Sequence, residues 1–401
     1  LTLRIGVVGG GIGGLAAAGF LAKSGFDVVV YEQAPALKEV GAGVVVSPNA
    51  VRLLRRIGAL PHFLRSAVEI ERGWEFRRWS DGSVLSSEDM SRCVDLYGER
   101  SYFCHRADLL ESILRCVPDR AIQLGARCVE VATASDGARL RLADGRQVDV
   151  DLLIGADGVH SVVRSAVARP EPATYSGLCA FRALVPIAEA PEFACQPVHT
   201  LWLGPDHHLV HYPVSSGQLV NIVAFAPAGD FRAESWSTVA TVAELAAEFD
   251  GWDPRLRTLI AHSRDPGRWA LLDRPPLKTW SRGRIVLLGD AAHPMFPFYA
   301  QGAAQAIEDA AALAVCLAEN RDDPGRALDI YQELRMPRAG KIQTLSHARK
   351  DINHLPDGPE QIERDAELAG ADALVRSGWI YGHDAEAAAR EACAAERKRQ
   401  P

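Results

Sequence analysis

Several stretches hold residue types whose spacing could do chemistry. GGGIGG sets Gly9-x-Gly11-x-x-Gly14 between an apolar run at 3–9 and a helical pattern at 12–24. In such a turn the first glycine permits a tight bend and the second lets a diphosphate approach the backbone. The third lets helix and strand pack closely. The free N–H groups and positive end of the helix then face the phosphates. Glu32 ends the next strand run, DVVVYE, 18 positions after Gly14, where a carboxylate accepts hydrogen bonds from a ribose. A 2′-phosphate on that ribose would meet a like charge. This unit does not tell FAD from NAD.

Two further stretches carry an acid at or just beyond the end of a strand. DLLIGADGVHSVVR (151–164) ends its apolar run at Gly155 and turns at Asp157-Gly158, then leads through Ser161 to Arg164 on a helix. Taken alone it reads equally well as a turn closed by an Asp cap. RIVLLGDAAHPMFPFYAQGAAQAIEDA (284–310) stops at Gly289 and Asp290, read as a buried acid. A proline-rich loop follows, then a helix opening at Gly302 with almost no charge in two turns. In HHLVHYP, His208, Val210 and Tyr212 alternate onto one face of a strand, and His211 faces the other way.

The elements that must position these residues follow from periodicity. The start of the chain is a βαβ unit. Helical patterns occupy 48–66 and 105–116, and hairpins turn at Asp81-Gly82 and Asp144-Gly145. From 176 to 281 the runs HTLWLGP, HHLVHYPV and LVNIVAFA suggest a mostly antiparallel sheet. An alanine-rich helix starts near 302, and from 340 the text is polar and helical, with HLPDGPEQ as a turn. The expected fold is α/β, a discontinuous Rossmann-like domain with an inserted antiparallel β-sheet domain and a helical C-terminal stretch. The expected parts are 1–71, 98–175 and 282–340 for the cofactor, 72–97 and 176–281 for substrate, and 341–401 as tail.

With 401 residues, two closely packed domains are expected. The composition, 48% hydrophobic and 24% charged, is that of a globular protein. A net charge of -7 argues against a nucleic-acid partner, and the apolar runs are strand-sized, so no membrane span is expected. The N-terminus enters a strand directly, without an export-signal pattern. The eight cysteines are scattered without a CxxC pair, so free thiols in a reducing cytoplasm are expected and no metal site.

Together, GGGIGG with Glu32, HRADL at 105–109, ADGVHSVVR and GDAAHPMFPFYAQGAAQAIEDA stand in the order found in the group A flavoprotein aromatic hydroxylases. The chain resembles this family of para-hydroxybenzoate, salicylate and 3-hydroxybenzoate hydroxylases from residue 3 to about 345. The resemblance implies FAD, NADH or NADPH as a transient reductant, and O2, which hydroxylate a small aromatic substrate through a flavin C4a-hydroperoxide. It also implies a dimer. Asp290 would bond a ribityl hydroxyl, Arg106 would reach the ribityl–diphosphate region, and the Asp157-Gly158 turn would serve FAD and nicotinamide. Pro294 and its loop would line the ring. Gly41, Gly43 and Val45 would let backbone approach it. Gly302 and Ala303 would present helix N–H groups to the reduced flavin's charge, with Glu308 and Asp309 pointing away. Ile12, Gln33 and Cys128 complete the implied cofactor set.

For the substrate, the resemblance implies His208 as base or polariser of a phenol, Tyr212 as an anchor and Gln301 as a contact. Arg182 could pair a carboxylate, and His293 is implied to be structural. Similar hydroxynicotinate monooxygenases carry histidines where this chain has Val45 and Phe298/Tyr299, which favours a benzenoid ring. Open alternatives are a hydroxypyridine, a natural-product precursor, or a non-oxygenase FAD-binding protein. A halogenase would carry WxWxIP, which this sequence lacks.

Overall fold

The computed structural model describes residues 3–37, 43–169, 173–231 and 238–399. Its first sheet has six strands in the order Ser281–Arg282, Ile285–Leu287, Leu152–Gly155, Arg4–Val8, Asp27–Tyr31 and Ile122–Gln123. All neighbours are parallel except the first pair. Strands buried on both faces need near-continuous apolar text, and VVG, LLIG and IVLL supply it. Helices Ile12–Lys23 and Gly302–Glu319 pack beside this sheet with small residues in contact. A Cβ on Gly13 would sit 2.8 Å from Leu288 and 3.2 Å from Ala306, so that glycine sets how closely these helices approach.

The second sheet has seven strands, in the order Arg264–Asp273, Thr174–Pro186, Leu219–Pro227, His207–Val214, Val198–Gly204, Arg72–Arg78 and Val84–Asp89. Its pairs are antiparallel, except that Val198–Gly204 runs parallel to Arg72–Arg78. The hairpins turn as expected, with Gly82 at φ +63° and Gly145 at φ +90°. Three-stranded sheets at 43–105 and 128–150 complete the β structure.

Two expectations change. The helix expected over 48–66 is broken at Gly58, whose φ of +104° ends Pro48–Ile57 before a short turn at Leu60–Phe63. Residue 341 lies inside the continuous 30-residue helix Pro324–Asn353, which crosses Pro337. No described helix is long and apolar enough to cross a membrane. Among the described residues no cluster could hold a metal, and all eight cysteines are free.

Candidate active site

Strand register brings the three signature loops together. Val8 pairs with Gly155 and Gly155 with Leu287, so the loops leaving these carboxyl ends lie side by side. Ligands of parallel α/β sheets bind at such ends. A Cβ on Gly9, at φ +105°, would lie 2.4 Å from the Ala156 carbonyl oxygen. One on Gly14 would lie 2.0 Å from that of Gly9. Protein packing therefore dictates both glycines. Gly11 differs, because a Cβ there would meet nothing within 4 Å. Ile12 begins the helix and is buried.

The carboxylate of Glu32 accepts from the Gly10 N–H (2.6 Å) and the Ala34 N–H (2.7 Å), which fixes it beside the glycine turn. Gln33 is exposed. Cys128 is buried, and burial pushes its thiol up to about 11. The geometry at Asp157 is that of the cap: it accepts from Ser161 Oγ (2.5 Å) and the Val162 N–H (2.7 Å). Burial raises its pKa against these bonds.

Asp290 was expected to be buried and is exposed. Gly289, at φ +59°, turns the chain at the strand end. Arg164 then pins the backbone, donating to the carbonyls of Asp290 (2.6 Å) and Ala291 (2.7 Å), and the carboxylate is left outside. The Pro294 carbonyl accepts from Gln343. Arg106, half-buried, opens the helix Arg106–Leu114. Helix Gly302–Glu319 starts without a side-chain cap or an acid in its first turn, and a Cβ on Gly302 would meet nothing within 4 Å. The first N–H groups of a helix have no intrahelical partner, so Gly302 and Ala303 present donors.

Gly41 lies outside the described residues. Protein packing by itself requires glycine at Gly43. A Cβ there would lie 2.5 Å from Tyr212 and 2.7 Å from Asn221, whose Oδ1 accepts the Gly43 N–H.

Beside these loops is a cavity whose walls include Val45, Trp74, His199, Tyr299, Gln301 and Tyr381. Val198 pairs with Arg72 but Thr200 with Glu75, so the strand Arg72–Arg78 carries one extra residue opposite His199. Such a bulge re-aims side chains. Trp74 lies in it with φ +50°, a strained backbone for a bulky residue. The ring of His199 is packed among Trp74 (5.8 Å), Phe103 (5.9 Å) and Tyr212 (5.5 Å). Burial lowers its pKa to about 4, so it is neutral at pH 7.

His199 went unread in the sequence because HTLWLGP shows only a strand. The missing signal is the bulge, a property of pairing between distant segments.

Of the three expected substrate residues, Gln301 lines this cavity, and His208 and Tyr212 are not among its walls. His208 is fully buried; its Nδ1 is 2.6 Å from His354 Nε2 and its ring stacks on Phe225 at 4.3 Å. Tyr212 stacks on Phe103 at 4.6 Å, behind His199, and burial raises its phenol pKa. Gln301 reaches the wall, but its Nε2 donates to Ser47 Oγ (2.8 Å) and its Oε1 accepts from Asn49 (3.2 Å). His211 faces the other way, as expected, and accepts from Trp202 Nε1. Arg182 lies over the Trp269 ring at 4.5 Å.

A buried ionic cluster supports both sides. Glu308 and Asp309 do not simply point away; both are fully buried against Arg335 (2.6 and 2.8 Å). Asp309 also accepts from the Gly289 N–H and bonds His293 Nε2 (2.5 Å), so it fixes the turn before Asp290. Glu308 accepts from Asn49 and pairs with Arg338. Burial works to raise the Glu308 pKa, but the two arginines outweigh it and hold it at about 2.

The adjoining loops, the space beside Gly11, the exposed Asp290 and two helix starts without acids fit a long cofactor with a diphosphate. The sequence matches the family model described as FAD binding domain over residues 2–346. It is 40% identical to the 3-amino-4-hydroxybenzoate 2-monooxygenase PtmB3 of Streptomyces platensis, over 95% of this chain and 96% of that one. It is 34% identical to a salicylate hydroxylase of Pseudomonas putida, over 98% and 95%. The fold superposes on a salicylate hydroxylase substrate complex with a TM-score of 0.82 at 29% identity, covering 98% of each chain. An FAD complex of Klebsiella pneumoniae HpxO gives 0.84 at 28%, covering 95% of this chain and 98% of that one. The chain belongs to this FAD-binding family, that of the group A flavoprotein aromatic monooxygenases.

Proposed function

We propose that the protein hydroxylates a small phenolic acid of the hydroxybenzoate type, with an amino-substituted hydroxybenzoate as first candidate. The observation that carries this reading is the similarity to aromatic-acid monooxygenases over nearly the whole chain; beside the converged strand ends a small cleft, apolar on most walls, holds one buried, neutral histidine. The similarity to 3-amino-4-hydroxybenzoate 2-monooxygenases supports the amino substituent. On this reading 1–71, 98–175 and 282–340 serve the cofactor and 72–97 with 176–281 the substrate. The helical tail adds Tyr381 to the wall.

Gly9, Gly11, Gly14, Glu32, Arg106, Asp290 and the N–H groups at Gly302-Ala303 would hold FAD. Bound FAD, reduced by a nicotinamide in the presence of O2, supplies the oxygen atom that enters the ring. The chain's own part is to orient the ring, exclude water and manage the phenol proton. Trp74, Val45 and Tyr299 give the ring flat and apolar walls. Neutral His199 offers an acceptor nitrogen to a hydrogen bond from the phenol hydroxyl, which orients the ring and draws its O–H electron density toward the ring. Tyr212 and Phe103 fix the His199 ring. Gln301, bonded to Ser47 and Asn49, shapes the loop and does not act on the ring itself. Eight free thiols support a cytoplasmic location.

The test is NADH and NADPH oxidation by the flavin-loaded protein over aminohydroxybenzoates, salicylate, 3-hydroxybenzoate and 6-hydroxynicotinate, with products identified by mass. A hydroxybenzoate that stimulates oxidation and gains one oxygen atom is the expected result. The variant His199→Phe should retain FAD and lose about 10²–10⁴-fold in kcat/KM, the usual worth of a positioned proton acceptor. Stimulation by 6-hydroxynicotinate alone would replace the substrate assignment. Full activity in His199→Phe would remove the histidine's role.

A further inference from the structure

Among the described residues that line the cavity there is no lysine, arginine, aspartate or glutamate, so nothing there meets an acid by charge. A carboxylate taken out of water is then tolerated only if neutral donors satisfy its oxygens. Few wall groups can do so. The Gln301 amide already donates to Ser47 and accepts from Asn49. The C-terminal segment supplies a phenol. Tyr381 ends the short helix Gly378–Tyr381, is 4% exposed and forms part of the wall. Tyr299, the other phenol of the wall, is half-buried rather than enclosed.

Clamps on both sides aim Tyr381. Arg338 donates to the carbonyls of Trp379 (2.8 Å) and Ile380 (3.2 Å) and pairs with Glu308 (2.7 Å). Arg52 donates to the carbonyl of His383 (2.7 Å). The Tyr97 ring meets that of Tyr381 edge-on at 5.8 Å. Glu308 also accepts from Asn49, the partner of Gln301, so two walls of the cavity share one support.

Burial raises the Tyr381 pKa, and the Trp74 indole opposes this as a hydrogen-bonding partner. The phenol therefore keeps its proton at neutral pH. Trp74 is itself a wall residue. An indole N–H only donates, so its contact with the phenol uses the phenol oxygen as acceptor and leaves the phenol proton for a third group. A hydroxyl that accepts one hydrogen bond donates its own more strongly.

We propose that the Tyr381 hydroxyl donates a hydrogen bond to the carboxylate of the aromatic acid, which makes the C-terminal segment a specificity-determining part of the cavity. This rests on the substrate being an aromatic acid, as read above. Tyr212, the anchor expected from the sequence, lies behind His199, and Tyr381 takes that task.

The experiment titrates FAD-loaded wild type and Tyr381→Phe while following the visible flavin spectrum. The ligands are acids and the same rings without the carboxylate: 3-amino-4-hydroxybenzoate with 2-aminophenol, and salicylate with phenol. A bare ring that gives no spectral change is measured by its competition with the acid. Tyr381→Phe removes one oxygen atom and should keep the wild-type flavin content and thermal midpoint. The acid that wild type binds should bind this variant about tenfold to hundredfold more weakly, the worth of a hydrogen bond to a charged group. Its bare ring should bind both proteins alike. An unchanged acid affinity overturns the proposal. So does equal weakening of acid and bare ring, which would give the hydroxyl to another substituent or to packing. If wild type binds no acid, or binds the acids no better than the bare rings, the aromatic-acid reading fails first and this assignment falls with it.

Discussion

The two sheets build their parts of the site from different materials. On the six-stranded side the working surface is backbone: glycines, helix N–H groups and strand ends set by parallel register. On the seven-stranded side it is packed side chains, with Trp74, His199, Tyr212 and Phe103 locked ring against ring. Backbone requirements are local, since Gly9 and Gly14 must be glycine to avoid carbonyls within 2.4 Å. Side-chain requirements are shared among strands distant in sequence. The lesson is that a cofactor of fixed shape is met by a fixed local motif, while a substrate is met by an assembly free to vary.

Acid should break the comparison most strongly. His199, His211 and His354 belong to the substrate side or pack against it, and burial lowers their pKa values from 6.5 to about 4, 3 and 3. Above pH 6.5 both folded and unfolded chains hold them neutral, so their contribution to stability is complete. As pH falls from 6.5 toward 4 the unfolded chain takes up protons that the folded one refuses. The loss is about 2 kcal/mol per histidine at pH 5. Thermal unfolding followed by tryptophan fluorescence should show a lower midpoint at pH 5 than at pH 7. The replacement His211→Phe should reduce the difference. A midpoint independent of pH would mean these rings are not buried neutral.

The glycines sharpen the comparison. Gly14→Ala places a Cβ against the Gly9 carbonyl and should destabilise the folded chain by about 1–3 kcal/mol, as overpacking does. It should also lose FAD. Gly11→Ala meets no protein atom, so the apoprotein should unfold at the wild-type temperature while FAD affinity drops. Equal thermal effects of the two changes would show that Gly11 is not kept open for a ligand. The smallest effect belongs to Asp290→Asn, which should weaken FAD binding by about 1 kcal/mol, the worth of a hydrogen bond to an exposed carboxylate. Unchanged FAD affinity by isothermal titration would separate Asp290 from the cofactor.

Much of the cofactor side was legible. Gly9, Gly14, Glu32 and the three strand ends stand where their spacing puts them, because strand–turn–helix geometry is written in a few consecutive residues. Burial of Asp290 was misread because strand text says where a run ends and not which way the last side chain turns; Arg164, 126 positions away, decides that. The packing that also requires Gly43 was not legible because its neighbour Asn221 is 178 positions distant. On the substrate side HHLVHYP showed the correct alternation, yet which end of that face opens to the cavity depends on Phe225, Phe298 and His354 closing over His208. The Glu308–Asp309–Arg335 cluster was invisible because nothing in EDA distinguishes a buried acid pair from a solvated one.

The central claim is that the backbone-built and side-chain-built halves meet over one cleft, so that a ring in the second touches the cofactor in the first. The direct test adds 3-amino-4-hydroxybenzoate to the purified FAD-loaded protein and records the visible flavin spectrum. A saturable shift in wild type, lost in His199→Phe with the flavin still bound, is the predicted result. A protein that takes up no FAD, or a flavin spectrum indifferent to every phenolic acid that accelerates its NADH or NADPH oxidation, would contradict it.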